Sequence, residues 1–154
     1  MSNDAFGMSV VMVIAGIGIP IMAALNSGLG VRLGNPVVAS SILLGTGLMV
    51  SLAFTLSKPF PDASLFGATP PHYFMGGFFV AFYILSITWI APKIGIGNAV
   101  FVVLLGQIVA SALIDHFGWF GTPVSPISVR RGLGIALMAA GVYLARKPPG
   151  AVFS

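Results

Sequence analysis

The sequence predicts an all-α membrane protein with five transmembrane helices, and three features of the 154-residue chain support this fold class. Four stretches without Asp, Glu, Lys or Arg are long enough to cross a bilayer, and a fifth, shorter stretch follows them. Only 6% of the residues are charged and 57% are hydrophobic, whereas a soluble domain carries about 25% charged residues. The mean hydropathy of +1.05 is that of a chain surrounded by lipid.

Composition also excludes several classes of function. Five spans leave no room for a second domain or for a catalytic module outside the membrane, so we expect no enzyme. The net charge of +4 is spread over loop edges and the tail, which indicates contact with lipid headgroups and not with nucleic acid. The chain has no cysteine and lacks the ligand spacing of a metal site, so we expect no metal and no cofactor.

The first two spans follow from length and from proline positions. A helix rising 1.5 Å per residue needs about 20 apolar residues to cross about 30 Å of hydrocarbon. Span 1 is expected at residues 8–30, and Pro20 removes the hydrogen bond to the carbonyl of Gly16, which predicts a kink or break of the helix there. Span 2 is expected at residues 36–57, beginning at Pro36 after Asn35. Residues 58–71 are expected to form a loop.

The remaining three spans complete a single membrane domain of residues 1–154. Span 3 is expected at residues 72–91, ended by Pro92 and Lys93. Span 4 is expected at residues 94–116, and the connection that follows contains Trp119 and Phe120, which suit an aromatic belt at headgroup level. Span 5, at residues 126–146, crosses the membrane only if its flanking arginines extend toward the headgroups.

Basic residues are almost balanced between the two sides of the predicted bundle, and this balance bears on orientation. The excess of Lys and Arg near span ends decides how a membrane protein inserts, so we expect chains in both orientations. Two opposed copies related by a two-fold axis in the membrane plane would form an antiparallel homodimer. One side holds Lys58, Arg130 and Arg131, and the other holds Arg32, Lys93, Arg146 and Lys147.

Four segments carry a resemblance to a known family. Residues 18–26 read GIPIMAALN, residues 106–118 read GQIVASALIDHFG, and residues 131–134 and 140–142 read RGLG and AGV. Together they resemble the five-span, dual-topology YdcZ-type family of the drug/metabolite transporter superfamily, over nearly the whole chain. The resemblance implies a multi-pass protein of the cytoplasmic (inner) membrane of a bacterium or archaeon. It also implies half of a ten-helix inverted-repeat fold that an antiparallel homodimer completes.

We therefore expect a transporter that moves a small polar or amphipathic solute by alternating access, with lipid, solute and a second copy of itself as its partners. The alternative is a non-transporting membrane subunit or assembly factor with a packed interior. The related small multidrug resistance proteins use a membrane-embedded glutamate for proton-coupled cation export. This chain has no glutamate, so that mechanism is not carried over.

Span 4 contains the most ordered set of polar residues. Gln107, Ser111 and Asp115 recur at i, i+4 and i+8 and therefore share one helix face, with Gln107 near the middle of the span. Gln107 and Ser111 either line a substrate path or hold neighbouring helices together by hydrogen bonds. Asp115, at a helix C-terminus, needs a partner such as His116, Arg130 or Arg131. Asp115 and His116 either gate or couple transport, or fix the loop and the membrane interface.

Four further residues are substrate-path candidates, each with an alternative reading. Asn26 and Asn98 contact substrate or cap helices. Tyr83 and Trp89 stack against a ligand or cation, or they pack and face lipid.

Span 5 carries small residues four apart, namely Gly132, Ala136 and Ala140. This spacing permits close approach between helices. We therefore assign the stripe to helix packing, across the dimer in particular.

Overall fold

The computed structural model describes residues 3–145, and the chain is all-helical over that range. Six α-helices occur among these residues, with 3₁₀ turns at Pro71–Met75 and Trp119–Gly121. Four helical segments are long and apolar enough to cross a membrane, and they correspond to the first four predicted spans. The helices are α1 (Asn3–Arg32), α2 (Pro36–Leu56), α3 (Ala63–Ala68), α4 (Gly76–Ile94), α5 (Ile96–Phe117) and α6 (Val129–Ala145).

The fifth predicted span corresponds to α6, which begins at Val129 instead of residue 126. The Ser128 hydroxyl accepts a hydrogen bond from the Arg131 amide at 3.2 Å, so Ser128 caps the helix and fixes where it starts. The 17 described residues of α6 reach about 26 Å, somewhat less than the hydrocarbon thickness. A fifth crossing therefore stays a prediction. Arg146 and Lys147, expected to flank the far end of this span, lie outside the described residues.

The predicted break at Gly16 and Pro20 is wrong, because α1 is one continuous helix from Asn3 to Arg32 with Pro20 inside it. A proline removes one backbone hydrogen bond, and membrane helices tolerate that loss; a bend at this position stays a prediction. The end predicted for span 3 is also wrong, since α4 continues through Pro92 to Ile94. Gly95 then ends the helix with a φ of +87°, a value that favours glycine.

The loop predicted at residues 58–71 contains an element that the sequence analysis missed. The short helix α3 (Ala63–Ala68) lies within it, and a 3₁₀ turn at Pro71–Met75 leads into α4. The rings of Phe60 and Phe66 stack with centroids 6.5 Å apart. The proline and glycine content of this segment predicted an irregular loop, but six of its residues form this short helix.

The chain divides into two compact units, Met1–Lys93 and Ile94–Ser154. In the first unit, α1 packs against α2 through a tight turn, in which Gly34 adopts a φ of +63°. The Asn35 side chain accepts hydrogen bonds from the amides of Val37 and Val38 at 3.0 and 3.2 Å, and Pro36 takes the first helical position. The sequence prediction for the start of span 2 is thus met by a standard N-cap.

Buried residues of the first unit concentrate near this turn, while the other halves of α1, α2 and α4 are exposed. Small side chains dominate the buried set. A Cβ on Gly30 would lie 3.2 Å from Thr88 Cγ2 and 3.3 Å from Pro36 Cα, so the backbones approach closely here. The buried residues are Ala23, Asn26, Ser27 and Gly30 of α1, Ala39 and Ser40 of α2, and Ile84, Ile87, Thr88 and Ala91 of α4.

Candidate functional site

A buried hydrogen bond joins α1 to α4 in the first unit. The Asn26 side-chain amide donates to the Thr88 hydroxyl, and the hydroxyl in turn donates to the Ile84 carbonyl at 2.6 Å. Asn26 is 3% exposed and Thr88 is 1% exposed. Two linked, buried hydrogen bonds of this kind specify how two apolar helices are rotated against each other. Any other rotation leaves the Asn26 side-chain amide unpaired.

The capping interpretation of Asn26 is wrong, since α1 continues six residues beyond it to Arg32. A contact of Asn26 with substrate stays a prediction. Asn26 also lines a groove of about 290 Å³ between α1 and α2. The groove is otherwise apolar except for Thr46, whose hydroxyl donates to the Ile42 carbonyl of its own helix.

Asn98 acts on the end of the preceding helix. Its side-chain amide donates to the Ile94 carbonyl at 2.9 Å, so it satisfies one of the carbonyls that a helix C-terminus leaves open. The capping alternative for Asn98 is therefore found in the structure. A contact of Asn98 with substrate stays a prediction.

Gln107 is the central polar residue of α5, the twelfth of the 22 residues of that helix. Its side chain is exposed, and within the described part of the chain no hydrogen bond to it is formed. Ser111 is also exposed, but its hydroxyl donates to the Ile108 carbonyl at 3.0 Å. Ser111 is thus satisfied within its own helix, whereas Gln107 presents a free amide from the middle of a membrane-spanning helix.

Asp115 stands where α5 ends and pairs with α6. Its Oδ2 lies 2.7 Å from the Arg131 guanidinium, and the two side chains are 36% and 33% exposed. The backbone carbonyl of Asp115 also accepts from the Ser125 amide at 2.7 Å. The expected partnership with Arg131 is present, and in this arrangement the aspartate fastens the connection between α5 and α6.

His116 also binds the connection between α5 and α6. Its Nδ1 accepts a hydrogen bond from the Ile127 amide at 3.0 Å, and its ring meets Phe117 edge-on at 4.7 Å. Phe117 stacks on Trp119 at 5.2 Å. We name this set the α5–α6 corner: Asp115, His116, Ser125, Ile127 and Arg131.

Tyr83 and Trp89 lie on α4 in different surroundings. The Tyr83 hydroxyl is buried and has no hydrogen-bond partner among the described residues. Trp89 is 57% exposed, and the Lys93 ammonium lies 3.6 Å from the centroid of its ring. One face of Trp89 is therefore already occupied by a cation–π contact within the chain.

The small residues of α6 are not covered by side chains among residues 3–145. Ala136 and Ala140 are exposed, and a Cβ on Gly132 would meet nothing within 4 Å. Packing of this stripe across a dimer stays a prediction.

Thr88 is the member of the buried pair that sequence reasoning missed. A single threonine in a long apolar run is common in membrane helices and usually bonds its own helix. Its spacing from Asn26, 62 residues away, carries no local signal. Only the packing of α1 on α4 reveals the pair.

The chain matches a sequence model of a known protein family. Residues 7–144 match the family described as "Putative inner membrane exporter, YdcZ". This range contains all the candidate residues described above. Comparisons with curated proteins and with solved structures found no match.

Proposed function

We propose, on the premise that this chain belongs to the YdcZ family of inner membrane exporters, that it exports a small polar or amphipathic solute. Two antiparallel copies would enclose the path and expose it alternately to the two sides of the membrane. The family match confirms the resemblance drawn from the sequence. The observation that supports the path most directly is the free amide of Gln107.

The energetics of Gln107 favour a polar environment around it. An amide moved from water into hydrocarbon without a hydrogen bond costs about 4–8 kcal/mol, and no water is present at the bilayer centre to replace the bond. Contact with lipid tails is therefore unfavourable for the exposed Gln107 side chain. A hydrated path or the polar groups of a second copy would remove this cost.

Two-fold symmetry would bring both copies of this residue together. A helix of 22 residues is about 33 Å long, so Gln107 lies within about 1 Å of its middle along the axis. A two-fold axis in the membrane plane places a central residue opposite its own copy. Two glutamine amides would then offer donors and acceptors to one uncharged or zwitterionic solute at the midplane.

Solute uptake by purified protein in liposomes tests this proposal. A screen across metabolites and cations should identify at least one solute that accumulates only with the protein. Gln107→Leu removes the amide from both copies and should then lower the uptake rate by at least about tenfold, the factor that corresponds to one hydrogen bond. Gln107→Asn, which keeps the amide, should lower it less.

The matched control is Ser51→Ala on α2. Ser51 is exposed and its hydroxyl is bonded to the Leu48 carbonyl of its own helix, so its removal should leave uptake unchanged. Uptake that is equal in wild type and Gln107→Leu would contradict the path. The absence of uptake for every solute would favour the non-transporting membrane subunit.

A further inference from the structure

A second groove lies on the surface of α1 and ends at an arginine. Its volume is about 330 Å³, and its lining is apolar apart from that one residue. From Ala24 to Arg32 it extends about 12 Å along the helix axis. We name it the Arg32 groove; it is lined by Ala24, Leu25, Gly28, Leu29 and Arg32.

The floor of the Arg32 groove is open because of Gly28. A Cβ on Gly28 would meet nothing within 4 Å, whereas a Cβ on Gly30 would press on Thr88 and Pro36. Gly30 is therefore small because of contacts inside the chain, and Gly28 is not. Leu25, 71% exposed, stands beside the hollow, so an apolar chain lying over Gly28 would contact leucine side chains along its length.

Arg32 carries a charge that the described part of the chain does not neutralise. No ion pair is formed with it among residues 3–145, and the carboxylate of Asp115 is held by Arg131. The carbonyls at the end of α1 are already bonded by turn amides: Leu33 to Leu29 at 2.9 Å and Asn35 to Gly30 at 3.1 Å. The guanidinium donors therefore remain available to a group outside the described residues.

We infer that the Arg32 groove binds one anionic phospholipid, with its phosphate on the Arg32 guanidinium and an acyl chain over Gly28. Guanidinium groups bind phosphate through paired hydrogen bonds. The end of a membrane helix is the depth at which phosphate meets hydrocarbon. Charge at one end and an apolar trough leading away from it complement the two halves of a lipid. This inference is independent of the proposed export.

Native mass spectrometry of the purified full-length protein with added phosphatidylglycerol or phosphatidylcholine tests the inference. Phosphatidylglycerol should bind with about fivefold higher affinity, the amount expected for one basic residue facing an anionic lipid. Arg32→Gln should remove that preference. Gly28→Leu, which fills the trough and keeps the charge, should weaken binding of both lipids.

Lys93→Gln is the matched control. Lys93 is in the last turn of α4, as Arg32 is in the last turn of α1, and its ammonium already lies over Trp89. The variant removes the same charge without touching the groove, so it should keep the preference for phosphatidylglycerol. An equal loss in Lys93→Gln and Arg32→Gln would show general surface attraction and overturn the inference.

Wild-type protein that binds both lipids equally would overturn it too. Thermal unfolding of each variant in detergent shows whether it is folded. Arg32→Lys keeps the charge and should retain part of the preference if Arg32→Gln does not fold. If the Arg32 guanidinium instead pairs with an aspartate of a second copy, the protein should stay dimeric without lipid and show no lipid preference. That result would overturn the inference.

Discussion

At the scale of single residues, the Asn26–Thr88 hydrogen bond defines how α1 and α4 fit together. Both residues are almost fully buried, and the pair is formed between helices whose other residues here are small or apolar. A polar pair in such surroundings contributes modest free energy, about 0.6 kcal/mol on average and about 1.7 at most between membrane helices. Its larger effect is on specificity, because an alternative packing would leave the Asn26 amide without a partner.

We predict that Thr88→Val and Asn26→Ala are coupled in a double-mutant cycle. Thr88→Val keeps the shape but removes the acceptor, so it should destabilise the protein by about 1–2 kcal/mol. In the Asn26→Ala background the same change should cost less, giving a coupling energy of about 1 kcal/mol. Reversible unfolding in mixed micelles provides the measurement.

Thr55→Val is the comparison for this cycle. Thr55 is exposed near the end of α2, and its hydroxyl bonds the Ser51 carbonyl of its own helix at 2.9 Å. Combined with Asn26→Ala, it should give an additive effect within about 0.5 kcal/mol. Equal coupling in both pairs would mean that the Asn26–Thr88 bond is not a specific link between helices.

At the scale of elements, the α5–α6 corner is held by hydrogen bonds and an ion pair at once. The connection between the helices is tied to the end of α5 through Ser125 and Ile127 and through the ion pair to Arg131. Gly118 ends α5 with a φ of +64°, and a Cβ there would lie 2.7 Å from Val124 Cγ2. The corner therefore depends on several short contacts and not on the ion pair alone.

We predict that Asp115→Asn loosens this corner without unfolding the protein. The ion pair is about one-third exposed, so its loss should cost about 0–1 kcal/mol of overall stability. Amide hydrogen exchange across residues 125–131 should become up to about fivefold faster, since local opening costs less than global unfolding. Hydrogen-exchange mass spectrometry measures both effects on one sample.

Asp62→Asn is the control for a lost carboxylate, because Asp62 precedes α3 and forms no side-chain cap. It should leave exchange at residues 125–131 unchanged. If Asp115→Asn does the same but abolishes uptake in liposomes, the aspartate acts as a gate or coupling residue. Unchanged exchange and unchanged uptake together would exclude both a structural role and a gating or coupling role for Asp115.

At the scale of the whole molecule, the exposed surface shows what must surround the chain. Large apolar residues are exposed along α1, α2, α4 and α5, including Ile14, Met49 and Phe79 at 62%, 72% and 67%. In water such a surface would aggregate; in a bilayer, lipid or a second copy covers it. Exposure is thus the expected condition for a chain that functions in a membrane.

We predict that orientation can be fixed by moving few charges, because basic residues near span ends decide insertion. Leu33→Lys with Lys58→Gln leaves two basic residues on the side of Arg130 and Arg131 and five on the side of Arg32. Ser64→Lys and Ala68→Lys with Lys93→Gln leaves five basic residues on the side of Arg130 and Arg131 and three on the side of Arg32. Reporters fused to the C-terminus should show mixed orientation for wild type and opposite single orientations for the two variants.

Uptake distinguishes an antiparallel pair from other assemblies. Each fixed variant should be inactive alone, and co-expression of both should restore uptake, since one copy of each orientation completes the path. Activity of either variant by itself would contradict the antiparallel dimer. A wild-type chain whose reporters all face one side would contradict it as well.

The amino-acid sequence alone determined the class of protein, the approximate positions of four membrane helices and the family. These properties depend on local quantities: the length of an uncharged run, a proline after a capping asparagine, and a segment such as Gly106–Gly118. The start of α6 was misplaced by three residues because a serine cap, and not the proline before it, begins the helix.

Only the tertiary structure decided which residues meet. In water, the apolar face of a helix marks its buried side, but in lipid every face is apolar and periodicity no longer distinguishes them. The rotation of α1 against α4 was therefore invisible in the sequence, and with it the partner of Asn26 and the close approach at Gly30. The sequence indicated only that Asp115 needs a nearby partner, because a charge at a membrane helix end requires one. The structure selected Arg131 among His116, Arg130 and Arg131.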